Sequence, residues 1–371
     1  MNPETPGNRA RRPDARLDLD YVLPLRWSAP DPAGLADLTG YLAWLSRRVR
    51  VAVVDGSPPE IYAEHDRRWR ERCPAVAHLP PDPDLDFGNG KVNGIYTGLR
   101  RASGDLIVVA DDDVRWSEQA LARIPALLAD ADLVHPQNVF DPMPWHARWD
   151  TARTLLNRAF AADWPGTEAV RRSVLIAAGG YDGDTMFDNL ELDRTFRAHG
   201  GRIRRERGLY VRRRPPTARH FRSQRIRQAY DSLAQPGRLA VELALLPAAA
   251  LAVAHRRPGL LAAGAAIAVV LAEVGRRRDG AAPVFPPDIP LWAPLWLTER
   301  AVCSWLAVGQ RLCGGVRYRD RRLRVAAHSR RELRRRRAAD AASIARSGPR
   351  IGLGRRPELP GLVRPVAERL A

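Results

Sequence analysis

An apolar run that ends in three consecutive aspartates limits which folds this chain can adopt. Asp105 to Ala110 is predicted to be a buried β-strand, and Asp111, Asp112 and Asp113 follow it directly. Three like charges this close repel each other unless water or a cation screens them. Because Mg²⁺ and Mn²⁺ prefer carboxylate oxygens and substrate phosphates as ligands, we expect Asp111 and Asp113 to bind one of these metals. A loop of solvated acids is the alternative interpretation.

Short apolar runs alternate with helical stretches on both sides of this strand. Such alternation is typical of an α/β fold with a mostly parallel sheet. The predicted strands are Leu19 to Leu25, Val51 to Val54, Asp105 to Ala110 and Leu133 to Gln137; the predicted helices are Asp37 to Arg48, Glu60 to Arg72, Gly94 to Ala102 and Trp145 to Phe160. Ligands of open α/β sheets bind beyond the carboxyl ends of the strands, where Asp55 and the three aspartates should lie.

Two glycine-containing segments near this edge are suited to binding a nucleotide. Asp55-Gly56-Ser57 follows a predicted strand, and the Asp55 carboxylate can accept hydrogen bonds from a base or a ribose hydroxyl. The segment from Gly88 to Gly94 is rich in glycine ahead of a helix, which permits close backbone approach to a ligand. It lacks the GKS or GKT of a P-loop, so an ATPase is not indicated. Lys91 in this segment is the only lysine of the chain.

The chain carries a formal net charge of +18 over 371 residues. This charge favours an anionic partner, which can be a nucleic acid, an acidic lipid surface or a phosphorylated small molecule. All but one of the 60 basic residues are arginine, and no zinc-finger or RNP-type motif accompanies them, so nucleic-acid binding is disfavoured. The cysteines, Cys73, Cys303 and Cys313, form neither a metal-binding pair nor a disulfide framework.

The ends of the chain differ in character from its central part. Residues 1–16 are polar, lack the apolar segment of a secretory signal and are expected to be disordered. We expect the α/β domain to cover residues 17–237, closing near Gln235-Pro236-Gly237, and to stay in the cytoplasm. Residues 317–371 form a basic tail whose arginines, from Arg317 to Arg337, are expected to lie against anionic headgroups. Little order is expected after about Ser343.

Two apolar stretches, Leu239 to Ala254 and Gly259 to Val274, follow this domain. Each is a little shorter than the ~20 residues of a usual membrane span. They contain almost no polar residues apart from Glu242 and Glu273, so we expect a transmembrane helical hairpin over residues 238–275. A pair of buried alanine-rich helices is the alternative. A third segment, residues 289–313, mixes tryptophans with charged side chains and is predicted to be an interfacial helix.

Six motifs together resemble the family 2 glycosyltransferases of GT-A fold, in particular the membrane-attached branch that includes ceramide glucosyltransferases. The resemblance covers about Val51 to Tyr230. The motifs are Val-Asp-Gly-Ser at 54–57, Gly-Lys-Val-Asn-Gly at 90–94, Gly-Asp-Leu-Ile-Val-Val-Ala-Asp-Asp-Asp-Val at 104–114, Gly-Gly-Tyr-Asp at 179–182, Phe-Asp-Asn-Leu-Glu-Leu at 187–192 and Gln-Arg-Ile-Arg at 224–227.

This resemblance implies a hexosyltransferase that uses a nucleotide-sugar donor, such as a UDP-sugar, with Mg²⁺ or Mn²⁺. It implies that Asp55 holds the nucleoside, that Lys91 lies near the uridine, and that Asp111 to Asp113 include the DxD site for metal and diphosphate. The implied reaction is a single displacement with inversion, onto a lipid, polyprenyl-linked or other membrane-proximal acceptor. Arg225 or Arg227 would stabilise the leaving diphosphate.

The sequence departs from the family pattern at two motifs. The family's Glu-Asp base motif is Asp188-Asn189 here, which leaves Asp188, with Glu191 in reserve, as the expected general base. The Gln-x-x-Arg-Trp motif begins at Gln224 and lacks its tryptophan, which Tyr230 is expected to replace on the acceptor side.

Two other functions remain open from the sequence. A processive polysaccharide synthase would need more spans than two to form a polymer channel. A membrane-tethered protein that binds sugar nucleotides without turning them over is the other, because Asn189 and Gln228 replace residues of the family pattern.

Overall fold

The structure is a computed structural model that describes residues 16–318 and 321–347. Almost all of the two segments that we expected to be disordered therefore lies outside the described residues. The strands are β1 (Asp20–Leu25), β2 (Arg50–Asp55), β3 (Val76–Leu79), β4 (Leu106–Ala110), β5 (Val114–Arg115), β6 (Leu133–Phe140), β7 (Thr167–Arg171), β8 (Ile203–Arg213), β9 (Val316–Tyr318) and β10 (Arg321–Leu323). The helices are α1 (Pro32–Leu45), α2 (Pro59–Arg72), α3 (Gly90–Arg101), α4 (Glu118–Asp130), α5 (Trp145–Phe160), α6 (Arg172–Ala177), α7 (Asp188–Ala198), α8 (Ala218–Tyr230), α9 (Pro236–Ala254), α10 (Pro258–Arg277), α11 (Ala293–Leu312) and α12 (Arg330–Ser347).

Eight strands form one mixed sheet in the order β3-β2-β1-β4-β7-β6-β8-β5. The first four strands in this order run parallel to one another: β3 pairs with β2, β2 with β1, and β1 with β4. Strand β7 is antiparallel to both of its neighbours, β4 and β6, and β8 returns parallel to β6. The sheet is therefore mostly parallel, which confirms the predicted fold class.

The four predicted strands correspond to β1, β2, β4 and β6, and the four predicted helices correspond to α1, α2, α3 and α5. The other strands were not predicted from the sequence. For β7 and β8 the reason is their composition, because Thr167–Arg171 buries Glu168 and Ile203–Arg213 contains five arginines. Neither strand shows the apolar run by which the other strands were recognised.

The sheet is covered on both faces by apolar side chains. One cluster joins α1, α2 and α4 to the sheet and includes Leu42, Trp69 and Leu121. The other joins α3 and α7 to the opposite face and includes Tyr96 and Phe196. Each fully buried large side chain contributes about 1.5–3 kcal/mol to the free energy of unfolding. This double-sided core fixes the strand ends at which the polar residues lie.

The helices after the α/β domain pack against it along one side and expose apolar side chains on the other. Both α9 and α10 are long and apolar enough to cross a membrane, and only 11% and 17% of their most apolar windows are buried inside the protein. They are thus not the buried pair of the alternative prediction. The base of α10 packs on α5, where Gly275 lies against the backbone of Leu155. Helix α11 follows in the region predicted to be interfacial.

Part of the predicted basic tail is folded onto the α/β domain. Strands β9 and β10 form a hairpin, and the chain after them pairs with the loop before α7. The amides of Met186 and Phe187 donate hydrogen bonds to the carbonyls of Val325 and Ala326, at 2.9 and 2.8 Å. This pairing fixes the loop that ends at Asp188.

Candidate active site

A cleft of about 910 Å³ opens where β1, β2 and β4 end. Its floor is formed by the sheet edge and by the loop that enters α3, and its far wall by α7 and α8 and by the first turns after them. The lining is mainly polar. It includes Arg26, Asn89, Lys91, Asn93, Asp111, Asp112, Asp113, Asp188, Asn189, Arg213, Gln224, Arg227, Asp231, Arg238 and Arg300.

The three aspartates after β4 all face this cleft, and each is held by a different donor. Asp111 Oδ1 lies 2.9 Å from Lys91 Nζ, and Asp113 Oδ2 accepts a hydrogen bond from Arg213 Nε at 2.8 Å. Asp112 Oδ2 accepts a hydrogen bond from the Trp27 indole at 2.6 Å. The turn thus concentrates three carboxylates at the sheet edge, and two cations balance part of their charge.

The protonation of two of these aspartates is shifted by their surroundings. Burial, together with the charges of Asp111 and Asp112, raises the pKa of Asp113 to about 6 against the opposing effect of Arg213. Burial also raises the pKa of Asp112, although the Trp27 hydrogen bond counteracts it. Desolvation and mutual repulsion are the two causes that a bound cation would relieve.

The donor set fits a divalent cation in its chemistry. Asp113 Oδ1 is buried and has no hydrogen-bond partner among the described residues, so a carboxylate oxygen is available as a ligand. No group of three or more histidine, cysteine, aspartate or glutamate side chains is already arranged around a common point in the described part of the chain. Lys91 and Arg213 contact the other three oxygens of Asp111 and Asp113. A cation would therefore need a further ligand, such as a phosphate of a substrate.

Lys91 connects the aspartate turn to the start of α7. Its ammonium lies 2.9 Å from Asp111 and 3.1 Å from Asp188. Burial disfavours the charged ammonium, but Asp111, Asp188 and Glu168 outweigh this effect and raise the pKa of Lys91 well above its usual value. Asn189 donates to the Pro165 carbonyl at 2.6 Å, which orients its amide.

Glu168 on β7 lies near the Lys91–Asp188 ion pair and was not predicted as a site residue. Its carboxyl is fully buried in the sheet. Burial raises the pKa of Glu168 well above its usual value despite the nearby charge of Lys91, and Asp188 and Asp111 raise it further. Burial thus disfavours the charged form of this carboxyl, and Lys91 is the nearby cation that opposes this effect.

Asp55, which we predicted to hold the nucleoside, lies at the end of β2 with its carboxylate turned into the protein. It is 1% exposed, and its oxygens bond to His65 at 2.7 Å and to the Ser57 amide at 2.9 Å. Burial opposes its ionisation, but hydrogen bonds from His65, His78 and Ser57 prevail and hold the pKa of Asp55 below its usual value. Gly56 next to it lines the cleft.

Three other predicted site residues point away from the cleft. Glu191 is fully buried, and its oxygens accept hydrogen bonds from the His328 amide at 2.7 Å and the His328 imidazole at 3.0 Å. Arg225 is buried against Glu299, and the Tyr230 hydroxyl donates to the Arg324 carbonyl. A helix places residues three apart on one face, but here the C-terminal segment covers Glu191 and the cleft faces Asp188. Gln224 and Arg227 do line the cleft.

Several residues in or beside the cleft were not predicted from the sequence. Trp27, which contacts Asp112, lies just after β1, a position where the fold predicts ligand contacts, so the sequence did contain a signal for it. Arg213 lies at the end of β8, a strand that was not recognised. Asp231 and Arg300 reach the cleft only because the turn after α8 and helix α11 pack over it. Sequence spacing contains no signal for such tertiary placement.

The fold is similar to that of a solved sugar-transferring enzyme. A mannosyltransferase, PcManGT from Pyrobaculum calidifontis, solved with GDP-Man and Mn²⁺, superposes with a TM-score of 0.50 at 22% identity, over 81% of this chain and 91% of that one. The chain has the GT-A fold. No family model and no curated protein matches the chain.

Two further solved structures match with lower scores. The S. aureus protein TarS, solved with UDP-GlcNAc, gives a TM-score of 0.39 at 12% identity, over 56% of this chain and 61% of that one. Glucosyl-3-phosphoglycerate synthase from Mycobacterium tuberculosis gives 0.37 at 18% identity, over 57% and 76%.

Proposed function

We propose that this protein is a metal-dependent glycosyltransferase that moves a hexose from a nucleotide-sugar donor, a UDP-sugar in the first instance, to a membrane-proximal acceptor. The observation that carries the proposal is the convergence of Asp111, Asp112 and Asp113 with Lys91 and Arg213 at the carboxyl ends of the strands. In a GT-A fold, this edge is where a ligand binds.

The cleft suits the diphosphate of such a donor. Lys91 and Arg213 are cations with donors at the cleft surface, and both can contact phosphate oxygens. Asp111 and Asp113 would hold Mg²⁺ or Mn²⁺, and the ion would neutralise charge that develops on the leaving diphosphate. The likeness to a mannosyltransferase solved with Mn²⁺ supports this assignment.

The proposed reaction needs one carboxylate to accept a proton. The acceptor oxygen forms a bond to the anomeric carbon while the bond from that carbon to the diphosphate oxygen breaks, with inversion. The diphosphate leaves with the electron pair of the broken bond, and the hydroxyl proton passes to an oxygen of Asp188. We assign this role to Asp188 because it lines the cleft and its ion pair with Lys91 fixes its position. Glu191 would need a rearrangement to reach the cleft.

We further propose that α9 and α10 anchor the enzyme to the cell membrane with the catalytic domain on the cytoplasmic face. Their apolar side chains are exposed, among them Val241, Leu251 and Ile267. Helix α11 adds exposed Trp305 and Leu306, which suits an interfacial position. The arginines at the end of α10, Arg276 to Arg278, favour the cytoplasmic side for the base of the hairpin.

A processive synthase and a binding protein without turnover are the competing functions. The first would need a membrane channel, and the described residues contain two candidate spans. The second would bind a donor but neither hydrolyse nor transfer it. Turnover by purified protein separates the second from the proposed enzyme.

A donor screen tests the proposal. Calorimetry with UDP-, GDP- and dTDP-sugars in the presence of Mn²⁺ should yield one clear binder, whose affinity falls when Mn²⁺ is chelated. Binding of none of these donors by folded protein would contradict the proposed function.

A further inference from the structure

One buried arginine at the cleft has donors that the protein does not use. The Arg300 side chain on α11 is 1% exposed and lines the cleft. Its Nε and Nη1 atoms have no hydrogen-bond partner among the described residues. The Trp296 ring lies 5.0 Å from the guanidinium carbon and covers one face of it. A buried charge without acceptors is costly, so such a group indicates a missing ligand.

The nearest acidic side chain on α9 does not supply that acceptor. Glu242 is buried close to Arg300, but its Oε1 accepts from Arg238 at 2.9 Å and its Oε2 from Ser304 at 2.7 Å. Both oxygens are therefore already engaged. Arg300 is at the same time one of the residues that line the cleft.

Other charges around this space make it a cationic subsite. We define the helical end of the cleft as the lining residues of α8, the turn after it, α9 and α11. It contains the arginines Arg227, Arg238 and Arg300, and Asp231 is the only acid among its described lining residues. Arg227 forms no salt bridge with a described residue, and Asp231 Oδ1 is buried without a partner. Burial lowers the pKa of Arg300 to about 10, as expected for an uncompensated cation.

We propose that the helical end of the cleft binds an anionic group, a phosphate, of the acceptor, with Arg300 and Arg227 as its contacts. This inference rests on the proposed function, since it assigns the class of the acceptor. The donor diphosphate has its own cations, Lys91 and Arg213, at the opposite side next to Asp111 and Asp113. A planar guanidinium that already lies in a desolvated site suits a phosphate better than a neutral hydroxyl.

The phosphate can belong to a lipid or to a water-soluble ester. The helices that carry Arg238 and Arg300, α9 and α11, expose Leu246 and Leu295 on their outer surfaces. A lipid that lies along these helices would bring its phosphate to the cleft, which favours the lipid source.

Calorimetry with simple phosphates tests the site in the full-length protein, kept in a neutral detergent. The probes are octyl phosphate, inorganic phosphate and uncharged octyl glucoside. We expect octyl phosphate to bind at least about tenfold more tightly than octyl glucoside. Arg300→Gln and Arg227→Gln should each weaken octyl phosphate binding by about 10- to 100-fold, because each removes a charged hydrogen-bond donor. Arg257→Gln, at the exposed tip between α9 and α10, is the matched control and should bind normally.

Each outcome decides a separate point. If the protein binds octyl phosphate far more tightly than inorganic phosphate, the site is assigned to a lipid phosphate. If the two affinities are equal, the site is assigned to a soluble phosphate ester. Unchanged octyl phosphate affinity in Arg227→Gln and in any folded Arg300→Gln overturns the proposal. Nucleotide-sugar binding is measured on the same samples and should be unaffected by Arg300→Gln. Its absence in the wild type would count against the glycosyltransferase and leave the phosphate site standing.

Discussion

At the scale of single residues, ion pairs decide which acids of the cleft can act. Lys91 binds both Asp111 and Asp188, and Arg213 binds both Asp113 and Asp111. These bridges keep five charged side chains close together without a ligand, so the site is ordered before a substrate arrives. Preorganised charge of this kind is more effective than charge that must be assembled during the reaction.

Asp188 and Glu191 form a matched pair for testing the general base. Asp188→Asn should lower turnover by roughly 10²–10⁴-fold and leave donor affinity nearly unchanged, because only proton transfer is lost. Glu191→Gln should keep turnover but lower the free energy of unfolding by about 1–3 kcal/mol, because it disturbs two buried hydrogen bonds to His328. Steady-state kinetics and thermal unfolding distinguish the two. Near-normal turnover in Asp188→Asn would remove it from the mechanism.

Asp231 predicts a pH dependence of stability. Burial raises the pKa of Asp231 to about 7, against the opposing charge of Arg300, from a value near 4 in the unfolded chain. The folded protein therefore binds the extra proton, and its stability should fall as the pH rises from about 4 to about 7. Asp231→Asn should flatten this slope in thermal unfolding curves measured between pH 5 and pH 8. A slope identical to that of the wild type would contradict the assignment.

At the scale of elements, two segments that are distant in sequence hold the wall of the cleft formed by α7 and α8 in place. The chain after β10 pairs with residues 185–187 and covers Glu191, and α11 brings Arg300 over the turn after α8. The predicted basic tail therefore has a structural role in the part that the structure describes. Helices α9 and α10 extend from this base with their apolar faces exposed.

The proposed hairpin can be tested by labelling. Helix α9 has 19 residues, so it is about 28 Å long, close to the ~30 Å hydrocarbon core of a bilayer. In a Cys313→Ser background, which removes the exposed thiol, Arg256→Cys and Arg334→Cys should react with a membrane-impermeant maleimide from opposite faces. A hairpin that crosses the membrane would be contradicted if the maleimide labelled Arg256→Cys from neither face of the membrane. Extraction of the protein by high salt without detergent would contradict it as well.

At the scale of the whole molecule, the sequence was most informative where a local pattern specifies the structure. The parallel strands and the acids at their ends follow from apolar runs and from the rule that ligands bind at carboxyl ends. Strand β7 and strand β8 could not be recognised, because Glu168 and five arginines interrupt their apolar character. Segments that fold back over the site determine how Glu191 is oriented, why Arg225 is buried and why Arg300 lies in the cleft. No local spacing contains that information.

Metal-dependent sugar transfer by the aspartate turn is the central claim, and a transfer assay with labelled nucleotide sugar tests it most directly. The wild type with Mn²⁺ should transfer or hydrolyse the donor, and EDTA should stop it. Asp113→Ala should have no activity, because Asp113 is the proposed metal ligand with a buried, unpartnered oxygen. Asp130→Ala, an exposed aspartate at the end of α4, should match the wild type. Activity that is indifferent to EDTA, or that persists in Asp113→Ala, would contradict this account.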